Sequence, residues 1–122
     1  VPQIILFREE HSPRTLVNKV DFISAPGVSD EKVYRPGGPK YLLTNRALFE
    51  FNKDLKKFSL LKLNQNETTE GIEKLTGFKF DVNEHVSAMS DPDISRLKIL
   101  RNKIAPMVSE FYPEFADRIW GI

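Results

Sequence analysis

The sequence predicts a mixed α/β domain, with a parallel sheet extended by an antiparallel hairpin and followed by C-terminal helices. Three observations predict it. Val1 to Phe7 and Phe22-Ile23 are short apolar runs on either side of a Ser12-Pro13 helix start, the order of a βαβ unit. Residues 41–63 hold strand-length apolar segments broken by polar turns. Ile94, Leu97, Leu100 and Ile104 recur at three- and four-residue steps, the period of an amphipathic helix.

Each element has its own warrant. Val1–Phe7 is apolar and β-branched before the charged Arg8-Glu9-Glu10, and reads as a buried strand. Ser12 is a good N-cap, and Pro13 fits the first helical position, where its missing N–H costs nothing. Leu16, Val17 and Val20 then form one apolar stripe. Pro26-Gly27 and Pro36-Gly37-Gly38-Pro39 bracket a loop. Tyr41-Leu42-Leu43 reads as a strand. Phe49 and Phe51 share one face of the next strand, opposite Glu50, and Phe58 to Leu63 returns after the polar turn 52–57. Thr68 caps a helix running to about Leu75, and Gly77 is expected to end it in the left-handed conformation. Phe78-Lys79-Phe80 reads as a short extended piece, and Asp81 to Met89 as a loop. Asp91-Pro92 opens the last helical region, which Pro106 is expected to kink or restart. Met107, Phe111, Phe115 and Trp120 line its end. This aromatic surface is expected to cover the sheet or a partner chain.

Composition narrows the function classes. The chain has 122 residues and a formal net charge of +1, enough for one domain over 1–122. The first sixty residues carry ten Lys/Arg against seven Asp/Glu, and the remainder eight against ten. So weak an asymmetry implies no nucleic-acid partner. No apolar run approaches membrane-spanning length, and no signal-peptide pattern opens the chain. With no cysteine, disulfides, thiolate nucleophiles and Cys-based zinc sites are excluded, and a cytoplasmic setting is expected.

The chemistry-bearing residues form no complete site. His11 and His85 have no second histidine at helical spacing, so no metal site is expected, and both read as surface or capping residues. Glu9 and Glu10 are consecutive at a strand end, which points them to opposite faces. Asp91 and Asp93 suit a helix start. Pro36-Gly37-Gly38-Pro39 lets backbone approach an anion but lacks the P-loop's Gly-Lys-Ser/Thr. Lys53, Lys56 and Lys57 sit at a hairpin tip and serve solubility better than nucleic-acid binding. No nucleophilic serine elbow is present.

Three stretches, in order and spacing, resemble one family. Leu16-Val17-Asn18-Lys19-Val20-Asp21-Phe22-Ile23-Ser24-Ala25-Pro26-Gly27, then Gly37 through Phe51, then Thr68 through Phe78 with its continuation to Phe80, are similar to the beta subunits of family I CoA-transferases of the glutaconate type. The resemblance covers residues 1–85. Asn64-Gln65-Asn66 stands where the family places His-Pro-Gly, and residues 86–122 form a longer, more aromatic helical extension. It implies a partial three-layer α/β/α sandwich with a mostly parallel sheet, and an alpha-type subunit or N-terminal part as partner. It also implies transfer of coenzyme A from an acyl-CoA to a carboxylic acid through a glutamyl thioester. Coenzyme A enters as substrate, and no resident cofactor is expected. The family's glutamate and oxyanion glycines lie upstream of the matched region, so no catalytic residue is carried onto this chain. Ser24, Gly27, Gly37 and Gly38 are the expected substrate-cleft residues, on loops flanking predicted strands. Two further readings share the fold: a non-catalytic interaction or regulatory module, and a subunit of a ring-opening CoA-ester hydrolase.

Overall fold

The structure, a computed structural model, describes residues 1–122. The sequence predicts one domain with a helical extension; the chain forms two compact units, Val1–Met89 and Ser90–Ile122.

The first unit is a five-stranded sheet in sequence order. Its strands are β1 (Ile4–Arg8), β2 (Pro39–Thr44), β3 (Ala47–Asn52), β4 (Lys57–Leu63) and β5 (Asp81–Ala88). Helix α1 (Thr69–Leu75) lies between β4 and β5 in the chain. β1 pairs β2 in parallel and β4 pairs β5 in parallel, while β2–β3 and β3–β4 are antiparallel. The sheet is therefore mixed rather than mostly parallel: an antiparallel meander with one parallel strand added at each edge.

One cross-strand rung carries the core. Leu6, Leu42, Phe49, Leu60 and Val82 are register partners across all five strands. Residues paired this way project from the same face. Leu42, Phe49 and Leu60 are buried there with Ala47, Leu16 and Ile72 of α1. The rung ends are open, with Leu6 41% and Val82 42% exposed. Phe49 holds the centre, its ring 5.1 Å from Phe80, 5.9 Å from His11, 6.1 Å from Phe78 and 6.3 Å from Phe58. Such tilted and edge-on pairs each add about 0.5–1.5 kcal/mol beyond area burial.

The predicted βαβ unit at the N-terminus is not formed. Residues 12–16 make a single turn, with Leu16 N–H donating to Ser12 O at 2.8 Å. The Leu16 carbonyl, which a continuing helix would give to Val20, instead accepts Gly77 N–H at 2.7 Å. Phe22 and Ile23 are not in a strand, and Phe22 is 82% exposed. β1 itself exists but is not buried, with Ile5 58% and Phe7 68% exposed.

Two more expectations change. Asp81–Ala88 is a strand, not a loop, held by parallel pairing to β4 and by a Lys57–Asp81 ion pair at 2.6 Å. Gly77 is required for space rather than for a left-handed turn, because a Cβ there would meet the Leu16 carbonyl at 2.3 Å. The helix cap is as expected, Thr68 Oγ1 accepting Gly71 N–H at 3.0 Å.

The second unit is helical: α2 (Ile94–Ile99), a π-helical turn (Leu100–Ile104), α3 (Ala105–Phe111) and α4 (Pro113–Trp120). Asp93 caps α2 by accepting Arg96 N–H at 2.8 Å. Pro106 has no N–H to donate, and the turn just before it widens, with Ala105 N–H bonding Leu100 O. Its buried residues are small, Ala105 and Ala116, whereas Ile94, Met107, Phe111 and Tyr112 are exposed. Phe115 and Trp120 meet edge to face at 5.5 Å. No helix of the chain is long and apolar enough to cross a membrane.

Candidate functional site

The sheet's two ends differ in chemistry. At the amino ends of β1 and β2 lies the glycine loop. Gly38 adopts φ +122°, which an L side chain rarely takes, and its carbonyl accepts Ile4 N–H at 2.8 Å, starting the β1–β2 ladder. A Cβ on Gly37 would meet the Val1 carbonyl at 2.0 Å, and one on Gly27 would press on Pro39 at 3.1 Å. Gly27, Gly37 and Gly38 are thus drawn together. Lys53, from the β3–β4 turn, clamps them, donating to the carbonyls of Gly37, at 3.0 Å, and Arg35. Arg35 ties the loop to itself through Pro26 O at 2.7 Å and Ser29 Oγ at 3.0 Å. An open groove of about 510 Å³ follows, lined by Gly37, Gly38, Lys40, Glu50, Lys53 and Asn83 among others. Of the four expected cleft residues, Gly37 and Gly38 line it; Gly27 packs on Pro39 behind it, and Ser24 is exposed and away from it.

At the carboxyl ends of β1 and β2, the side where open α/β sheets place ligands, stands a buried polar cluster. His11 is only 3% exposed, contrary to the expected surface role. Its Nδ1 lies 2.8 Å from Thr44 Oγ1 at the end of β2, and its Nε2 lies 2.8 Å from Thr76 Oγ1 just past α1. Burial first, and then the positive Arg46, hold its pKa below the ordinary imidazole value; Glu67 partly opposes them. Arg46 and Glu67 are themselves paired at 2.6 Å. The partners of His11 lie 33 and 65 positions away in sequence, so no local spacing announced them.

The acidic candidates have structural roles. Glu10 is held in its ionised form by the Ser12 hydroxyl, at 2.7 Å, and by Arg14. Asp93 is held ionised by Ser95 and by the Arg96 N–H of its own cap. No three His, Asp or Glu side chains come close enough together to hold a metal ion.

Neither end brings together a nucleophile, a base and an oxyanion donor. What the geometry defines is an α/β domain built on a mixed five-stranded sheet, with a glycine loop at one end and a buried histidine–threonine cluster at the other. No protein-family model matches the chain. It is 29% identical over 104 residues to the beta subunit of glutaconate CoA-transferase from Acidaminococcus fermentans, spanning 80% of this chain and 39% of that protein. The crystal structure of that organism's glutaconate coenzyme A-transferase superposes with a TM-score of 0.70 at 24% identity, covering 84% of this chain and 41% of the other. The decarboxylase AibA/AibB gives 0.62 at 27% identity, over 80% and 36%. IpdAB of Rhodococcus jostii RHA1 gives 0.71 at 20% identity, over 81% and 42%. The chain is thus homologous to the CoA-transferase beta subunit over four-fifths of its length and has the CoA-transferase fold. It spans about two-fifths of the length of the curated relative it matches.

Proposed function

We propose that this chain is the C-terminal part of a beta-type CoA-transferase subunit, supplying scaffold, subunit contact and cleft loops to a reaction whose nucleophile lies elsewhere. The observation that carries this reading is the homology to the glutaconate CoA-transferase beta subunit over four-fifths of the chain. The reaction proposed for the whole enzyme moves coenzyme A between an acyl-CoA and a carboxylic acid. A glutamate attacks the thioester carbonyl, the CoA thiolate leaves, and an acyl-glutamyl anhydride remains. The thiolate then attacks the glutamyl carbonyl and releases the first acid. The second acid reverses the sequence and departs as its CoA ester. Coenzyme A is substrate throughout, and no resident cofactor is called for.

The partner we propose is an alpha-type subunit, together with the N-terminal part of the beta subunit, in the cytoplasm. The open sheet supports it. Ile5 and Phe7 project from the face of β1 opposite the Leu6 rung and are largely exposed. An apolar strand left open in this way marks an interface. In the helical unit, exposed Phe111 and Tyr112 offer a second contact of the same kind.

The test is reconstitution. The chain alone, given an acyl-CoA and a labelled carboxylate, transfers no coenzyme A. Assembled with an alpha-type subunit and the N-terminal part of a beta subunit, it does. Assembly without transfer, or with net thioester hydrolysis only, would replace this reading by the non-catalytic module or the ring-opening hydrolase.

A further inference from the structure

The hydrogen-bond arithmetic around His11 assigns every proton in the cluster. Thr76 Oγ1 donates its single hydrogen to Ile72 O at 2.6 Å, so toward His11 it can only accept. His11 Nε2 therefore carries a hydrogen, and the neutral ring leaves Nδ1 as an acceptor. Thr44 Oγ1 accepts Arg46 N–H at 3.1 Å and Ala47 N–H at 3.0 Å, which fills both its lone pairs. Its own hydrogen goes to Nδ1 at 2.8 Å, while the Ala47 carbonyl, a second acceptor, waits at 3.3 Å.

This chain of bonds has no room for one more proton. If Nδ1 gains a hydrogen, it must donate to Thr44 Oγ1, which would then accept three N–H groups on two lone pairs. The Thr44 hydrogen swings to Ala47 O, and one of the two turn N–H groups, Arg46 or Ala47, loses its bond to Thr44 Oγ1. We infer that the His11–Thr44–Thr76 cluster is a proton-sensitive latch, closed with neutral His11, whose protonation loosens the turn carrying Asn45 and Arg46 while the Nε2–H bond to Thr76 Oγ1 holds.

The surroundings support a latch rather than a passive core histidine. The charges acting on the ring are Arg46, from the turn, and Glu67, from just before α1; Phe49 of β3 and Thr76 bring none. Arg46 is also the group the loosened turn would move, and its Nε is buried without a hydrogen-bond partner. Beside the latch, Gly77 N–H meets Leu16 O at 2.7 Å and fastens the segment that leads to Ser24 and Gly27. The latch rests on this geometry alone and does not depend on the proposed CoA chemistry.

Nitrogen-15 NMR of the His11 ring in the full chain, with amide hydrogen exchange across the same pH range, tests it. The ring signals are identified by their loss in His11→Gln. We expect the Nε2–H tautomer at neutral pH and protonation only below the ordinary imidazole range. Over the same pH interval, protection at Arg46 or Ala47 should fall about two- to tenfold, the weight of one hydrogen bond. Thr76→Val should shift the tautomer balance, and Thr76→Ser should restore it. An Nδ1–H tautomer at neutral pH, or protonation of His11 with unchanged protection at those amides, would overturn the latch. The measurements on the unsubstituted chain decide this whether or not His11→Gln folds stably.

Discussion

β1 and β3 look alike as text and differ as structure. Ile4–Arg8 reads IILFR and Ala47–Asn52 reads ALFEFN, both short, apolar and bounded by polar residues. In β3, Phe49 is flanked by paired strands on both sides, covered by Ile72 of α1 and surrounded by four rings. In β1, only one edge is paired, and Ile5 and Phe7 stand largely in solvent. Apolar sequence signals that a strand is meant to be buried, but not that its own chain supplies the cover. The contrast supports the reading that β1 meets polypeptide outside these residues.

The largest expected effect sharpens this contrast directly. Phe49→Ala should cost about 3–5 kcal/mol in denaturant unfolding, because it empties the centre of the core. Phe7→Ala should change the stability of the isolated chain by no more than about 0.5 kcal/mol. A large loss for Phe7→Ala would show that β1 is already packed within this chain. In a reconstituted assembly the order should narrow, with Phe7→Ser weakening subunit association measured by analytical ultracentrifugation.

Gly77→Ala comes next. Its Cβ would press on the Leu16 carbonyl, and overpacking against backbone costs about 1–3 kcal/mol. Thermal unfolding measures it, and an unchanged melting temperature would mean that the segment after β1 moves aside freely. Smaller again is Thr68→Ala, which removes the α1 cap at a cost of about 1 kcal/mol.

The pH dependence has a definite sign. His11 binds a proton less readily in the folded chain than in the unfolded one. Its contribution to stability is therefore complete above its unfolded pKa of 6.5 and is lost progressively as pH falls below that value. Urea midpoints from pH 7.5 downward should fall in the unsubstituted chain and fall less steeply in His11→Gln. Parallel slopes would show that His11 does not set the pH dependence.

Much of the fold could be read directly from residues. The β2–β4 meander, the Thr68 cap and the helical end follow from alternation, capping chemistry and three–four spacing, all local signals. What escaped depended on distant partners. The helix expected after Ser12 stops after one turn because the Leu16 carbonyl is taken by Gly77. β5 is polar and reads as loop until β4 gives it a ladder. The site followed the same division. Gly27, Gly37 and Gly38 announced a tight loop through their punctuation, whereas His11 gained its two threonines only through the folded topology.

The central claim, that the reactive carboxylate is not in these residues, can be tested by locating the covalent intermediate. The reconstituted enzyme is incubated with acyl-CoA alone, digested, and searched by mass spectrometry for the glutamate that carries coenzyme A. The adduct is expected outside residues 1–122. An adduct on Glu9, Glu10 or any other carboxylate of this chain would contradict the claim.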